Sequence, residues 1–365
     1  MKLGVLNFLG DIKNFLKGGK VLGVDIGSTS IKAVEIAKVG DRFKLINYGI
    51  LETKSYLDNP TKVLQTGSLK MVDKEAANLL KCLFREMKTK TKLALFSLPS
   101  FSVFVTPLEM PVLTPLETQK AVGFQARQFI PLPIDQVSID WTKIDEYENE
   151  RGQRYQRVLL IGIPNEVLET YKRIAKMAGL RLVFLELETL ALIRSLYAMN
   201  NQVVITVDIG TETTTTTISD QGTLKYSSTG DHGGYYLTQA LVRSLGISAA
   251  RAEDLKRRRG LLGTGGDAEL STLLLSFLDV IIDEVSSVRE LYERRYGKKA
   301  QRIVLAGGGA NLAGIDKYVS ERLGLEVYHP SVFMDIEYES GLEPIMKNLT
   351  NELAVAVGVA KRYFN

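Results

Sequence analysis

A two-lobed α/β fold built on a duplicated strand-and-turn unit, with an α+β unit inserted in the first lobe, is the class this sequence predicts. Three observations carry it. Residues 24–29 and 207–212 read Val-Asp-Ile-Gly-Ser-Thr and Val-Asp-Ile-Gly-Thr-Glu, each ending a hydrophobic strand and preceding a second β-prone run. Strand and helix patterns alternate through most of the chain, as α/β proteins require. Residues 100–179 interrupt that alternation with an order of their own. At 365 residues the chain also exceeds what one core serves.

The elements follow in order. Val5, Phe8, Leu9, Ile12, Phe15 and Leu16 recur at helical spacing beside Lys2, Lys13, Lys17 and Lys20. That segment, residues 1–20, suits an anionic membrane surface or a helix docked on protein, and both readings stand. Strands are expected at 21–27, 30–37 and 43–53, a helix at 73–87 and a strand at 93–98. In the interruption, strand 103–109 precedes a helix opened by Thr114-Pro115-Leu116-Glu117, a capping box with proline in the first turn. Strands at 137–144 and 157–163 and a helix at 166–178, closed by Gly179, complete it. A strand at 181–185, a helix at 188–197 and a strand at 202–209 come next. The β-branched run at 213–217 reads as strand rather than low complexity. Helices are expected at 235–245, 249–258, 267–296 and 352–361, with a strand at 302–306.

Composition narrows the function. A net charge of +4 does not call for nucleic acid. The run from Lys256 to Arg259 fits a solvated helix end, and Trp141, Tyr147 and Tyr155 lack interleaved basic clusters. Cys82 is the one cysteine, so no internal disulfide forms, and His232 and His329 cannot build a histidine-rich metal site. No run reaches the ~18 apolar residues that span a bilayer. Asp11 and Asn14 break any leader-like region, so an intracellular protein is expected.

The repeated turns carry the chemistry. Gly27 and Gly210 let the backbone turn tightly and approach an anion, and successive N–H groups there form a concave site. Ser28, Thr29, Ser30, Thr211 and Thr213 add hydroxyls, and Lys32 can reach phosphates. Asp25 and Asp208 repel phosphate but suit the water shell of Mg2+. Either aspartate alone reads as a turn cap; the pair reads as a nucleotide site. A third element, Ala306-Gly307-Gly308-Gly309-Ala310, ends a strand with glycines that let main chain lie against an adenine or its phosphate. Leu312 breaks the dinucleotide fingerprint, and no G-x-x-x-x-G-K-[ST] run occurs. His232, beside Gly233 and Gly234, reads as loop packing.

With these elements in this order, the chain resembles the actin, sugar-kinase and FtsA superfamily, and a two-lobed actin-like, ribonuclease H-like duplicated fold is implied. The two turns look like its phosphate motifs, to which Gly233 and Gly234 add, and Gly307, Gly308, Gly309 and Ala310 look like its adenosine motif. Glu253 and Lys256 look like its ribose and adenine contacts. Glu188 looks like the residue that orients the attacking water, and the small-residue helix at 352–361 like a connecting helix. The insertion looks like the 1C subdomain of FtsA. The run from Phe124 to Val137, with Leu98-Pro99 and Glu109-Met110-Pro111, is similar to the type IV pilus assembly PilM family. FtsA carries a membrane-targeting helix past the point where this chain ends, which favours PilM.

The resemblance divides the chain into subdomain 1A (21–99 and 180–200), 1C (100–179), 2A (201–246 and 300–365) and 2B (247–299). It implies a cytoplasmic ATP- and Mg2+-binding adaptor, peripheral to the bacterial inner membrane. Its partner would be the cytoplasmic N-terminal segment of a PilN-like membrane protein, held between 1A and 1C, within a ring of pilus platform proteins. An FtsA-type filament protein is the alternative, and a sugar kinase a distant third. Glu212 stands where active superfamily members usually have glycine, so hydrolysis is expected to be slow or absent.

Overall fold

The computed structural model describes residues 19–52, 69–196, 199, 201–262 and 268–364, and the amphipathic segment at 1–18 lies outside them. Strands β1 (Lys20–Ile26), β2 (Ser30–Val39) and β3 (Arg42–Glu52) form an antiparallel meander. Helix α1 (Leu69–Glu86) then leads to β4 (Leu93–Leu98), parallel to β1. The insertion comprises β5 (Phe104–Pro111), α2 (Pro115–Phe129), β6 (Val137–Glu148), β7 (Arg154–Pro164) and α3 (Asn165–Met177). Its sheet has the order β5-β7-β6. The capping box forms as expected: Thr114 Oγ1 accepts the N–H of Glu117, and Glu117 accepts the N–H of Thr114. Strand β8 (Arg181–Leu187) returns parallel to β4 and feeds α4 (Glu188–Ser195).

The second lobe repeats this plan. Strands β9 (Val203–Ile209), β10 (Thr214–Asp220) and β11 (Thr223–Gly230) are again an antiparallel meander. Helices α5 (Gly234–Leu245), α6 (Ala249–Arg259) and α7 (Ala268–Tyr296) follow. Then come β12 (Arg302–Ala306), α8 (Ile315–Leu323), β13 (Val327–Tyr328), β14 (Ile336–Glu337) and α9 (Glu343–Lys361). The sheet orders β3-β2-β1-β4-β8 and β11-β10-β9-β12-β13 correspond strand for strand, so the repeated sequence reflects a repeated topology.

Burial explains the unbroken apolar runs. In β1, Leu22 and Val24 face a core shared with α1 and α3, while Val21 faces one shared with α9. A strand covered on both sides has no polar face to alternate with. The second lobe has its own core around Ile205, Val207, Leu278 and Tyr292.

The tail departs from expectation. Residues 336–364, grouped on sequence with the second lobe, pack on the first sheet. Strand β14 pairs with Phe43 and Lys44 of β3. Helix α9 starts at Glu343, nine positions before the expected Glu352, with Pro344 tolerated in its first turn. It lies on β1, β2 and α4. Its small residues permit this: a Cβ on Gly23 would enter the Ala356 carbonyl, and one on Gly358 the Ala191 carbonyl.

Candidate functional site

Strand β1 ends beside Asp25 and β9 beside Asp208, so the duplicated sheets aim equivalent turns at one another. In both turns the glycine N–H donates to the carbonyl three residues on: Gly27 to Ser30 and Gly210 to Thr213, each at 2.9 Å. The tips meet, with the hydroxyls of Thr29 and Thr211 hydrogen bonded at 2.7 Å. Between the lobes lies a cleft of about 430 Å³, within the ~300–1,000 Å³ usual for small-molecule sites.

Charge dominates its floor. Asp25 is buried, accepts a hydrogen bond from Ser97 Oγ at 2.6 Å and pairs with Lys32 Nζ at 3.1 Å. Burial opposes the charge on Lys32, but Asp25, Asp208 and Glu352 outweigh it and hold the ammonium above its ordinary value. Burial, with Asp25 adding repulsion, pushes the Asp208 carboxyl above its usual range against the pull of Lys32. Glu188, opening α4, is pushed up by burial and then by Asp208 and Asp25, although its Oε1 accepts the Ser100 N–H at 2.7 Å. Lys32 is thus the cation set against Asp25 and Asp208, and Glu188 adds a third acid to the cleft.

This imbalance sets a pH dependence. With folded-state values above the unfolded ones, Glu188 and Asp208 keep protons in the folded protein that the unfolded chain has released, so stability falls as pH rises. The melting temperature of the ligand-free protein is expected to decline between about pH 5 and 8, less so in Glu188→Gln. A slope unchanged in that variant would remove Glu188 as a cause.

The other expected residues divide. Ser28, Ser30, Thr213 and Gly234 line the same cleft. Gly233 does not: a Cβ there would lie 2.6 Å from the Thr211 carbonyl, so it seats the second turn. The first amides of α5 serve that turn too, Gly234 donating to Gly210 O and Tyr235 to Thr211 O. Gly307, at φ +78°, and Gly309 are pressed against residues 208–209, while Gly308 has open space before it. Ala310 is a correction: it is buried in the second-lobe core, because the turn of 3₁₀ helix at Gly308–Asn311 points it inward.

Glu253 and Lys256 line the cleft but engage each other at 2.6 Å. Lys256 also donates to Gly234 O and Thr238 Oγ1, both at 2.8 Å. Arg257 and Arg258 pair with Glu253 and Asp254 of the same helix, as a solvated helix end does. His232 packs on Tyr236 and meets Glu284, away from the cleft. Sequence reasoning missed Ser97, Ser100, Asn311 and Asn351. The last two are hydrogen bonded at 2.8 Å where α9 meets the glycine loop. None has a local motif that marks it.

The profile of the family described as type IV pilus assembly protein PilM matches residues 23–364. The chain belongs to that family. A PilM structure from a PilM–PilN type IV pilus biogenesis complex superposes with a TM-score of 0.81 at 22% identity, covering 95% of this chain and 99% of that one. The ethanolamine utilization protein EutJ from Carboxydothermus hydrogenoformans gives 0.55 at 18% identity, covering 95% and 90%. MreB5 of Spiroplasma citri bound to ADP gives 0.53 at 18%, covering 93% and 94%. The PilM fold here is thus two-lobed and actin-like. Among the described residues no helix is long and apolar enough to cross a membrane.

The cleft fits a nucleotide with its cation. A magnesium ion would relieve the repulsion among Asp25, Asp208 and Glu188. Among the described residues no group of three acidic, His or Cys side chains converges to ligate one ion directly. Gly308 is the one glycine of the loop with room for a ligand plane.

Proposed function

We propose that this PilM-family chain is an ATP-binding adaptor of the type IV pilus inner-membrane platform, on the cytoplasmic side. It captures the cytoplasmic N-terminal segment of a PilN-like membrane protein between the insertion and the first lobe, and it joins other platform proteins in a ring. The observation that carries the nucleotide reading is the pair of equivalent turns meeting over three carboxylates and Lys32. The PilM–PilN complex among its structural neighbours supports the partner, and the ADP bound to MreB5 supports the nucleotide.

In this reading the turn tips and Lys32 hold the phosphates, and Asp25 and Asp208 orient the water shell of Mg2+. Bound Mg2+ supplies positive charge against the phosphates. Glu188 holds or accepts a proton from a water facing the terminal phosphate, with Ser100 fixing its carboxylate. Glu212 lines the cleft beside the second turn, and burial pushes its carboxyl up. Its charge opposes that of a phosphoryl group in transfer, where positioning and electrostatics do most of the work. Turnover is therefore slow, and ATP acts as a structural ligand.

The test is titration of a labelled peptide, from the cytoplasmic N-terminus of a PilN-like membrane protein, with and without Mg-ATP. Saturable binding, with a ratio of affinities that measures the coupling, is expected. No binding in either state, together with ATP-dependent sedimentation of the chain, would replace the adaptor with an FtsA-type filament. Rapid turnover abolished by Glu188→Ala would overturn the structural role of ATP.

A further inference from the structure

All strands of the first sheet that point at the cleft begin or end, at their far side, on one common surface. Strand β1 runs from Lys20 to the first turn, so Lys20 lies about 17 Å from Asp25. The β2–β3 turn, the loop before β4 and the loop before β8 emerge at the same end.

That end is basic. Lys20, Lys44, Lys88, Lys90, Lys92 and Lys176 are exposed there, and none meets a carboxylate among the described residues. Lys20, Lys88, Lys90 and Lys92 ring a hollow of about 560 Å³. The acids nearby do not neutralise it. Glu35 in the hollow is buried and accepts a hydrogen bond from Thr91 Oγ1 at 2.6 Å, Glu86 pairs with Arg85, Glu337, opposite Lys44, pairs with Arg42, and Asp41 is exposed at the β2–β3 turn against six lysines. Bulky apolar side chains are exposed beside the lysines: Val39 at 63% and Met334 at 75%, with Met177 at the end of α3.

We infer that this end of the first sheet docks directly on an anionic lipid bilayer. Unpaired lysines interspersed with exposed apolar side chains match the interface of such a bilayer, where ammonium groups meet headgroups and short apolar groups reach the acyl boundary. A soluble anion needs the lysines but gains nothing from Val39, Met177 and Met334. The contact is independent of any protein partner and leaves the cleft facing away from the membrane.

The test is flotation of the full chain with vesicles of phosphatidylglycerol and phosphatidylethanolamine, against vesicles of phosphatidylcholine alone. Binding to the anionic vesicles only, weakened by salt, is expected. The triple variant Lys88→Glu, Lys90→Glu, Lys92→Glu should bind at least about 100-fold more weakly. The triple arginine variant at the same positions should bind as the unaltered chain does, which separates charge from folding. A chain lacking residues 1–18 should keep its preference for anionic vesicles and its dependence on the three lysines. Equal binding to phosphatidylcholine, no binding to either vesicle, or charge reversal without effect would each overturn the inference. So would lysine-dependent binding to inorganic polyphosphate without flotation.

Discussion

Replacing Gly358 with valine is expected to destabilise the protein by at least about 3 kcal/mol, lowering the melting temperature by roughly 10 °C or more. The new side chain would be driven into the backbone carbonyl of Ala191 in α4, and a packed backbone cannot rotate aside as a side chain does. Helix α9 would have to lift from α4, breaking the hydrogen bond from Arg194 Nη1 to Gly358 O at 2.9 Å. Arg194 would then keep only its pairing with buried Glu186, at 2.6 Å. Thermal unfolding measures the effect, and Ala191→Gly is the control. Because the obstacle is main chain, that second change should restore nothing; recovery would mean that the contact is between side chains.

Lys32→Met is expected to weaken nucleotide binding by about 100-fold, the loss of one or two charge-assisted hydrogen bonds. The same change leaves Asp208 without the cation that draws its carboxyl down, so its proton should be held more tightly still. Calorimetry with ADP and Mg2+ in buffers of different ionisation heat would see both effects, a higher dissociation constant and more protons displaced by the cation on binding. Lys32→Met with Asp25→Asn should bind better than Lys32→Met alone, since one repelling charge is gone. Affinity unchanged in Lys32→Met would place the phosphates elsewhere in the cleft.

The two turns were legible because their chemistry is local: Asp25 with Gly27 and Asp208 with Gly210 each lie within one short segment. The insertion was legible for a similar reason, its capping box and Gly179 marking helix ends without reference to anything distant. What stayed hidden depends on neighbours far away in sequence. Ser97 matters because β4 lies beside β1, and Ser100 because α4 begins beneath it. Gly307 and Gly309 do line the cleft, but what bars a side chain there is the protein's own chain at residues 208–209, which no local motif announces. Strand β11 went unrecognised because it is polar and carries Lys225. That lysine is buried only because Asp145 of the insertion meets it at 2.8 Å.

That last contact belongs to a larger tie. Arg295 of α7 pairs with Glu109 of β5 at 2.6 Å, and the Arg157 guanidinium lies 3.9 Å from the ring centre of Tyr147 and 4.7 Å from that of Tyr296. The insertion is also packed into the first lobe through α3, and the two lobes touch at Thr29 and Thr211. The three bodies form a closed linkage, each bearing on the other two. In such a linkage no joint moves alone: spreading the threonine tips must either part Glu109 from Arg295 or swing the insertion with the second lobe. Whatever sits in the cleft thereby sets the attitude of the whole insertion, far beyond Phe101, where that subdomain reaches the cleft lining.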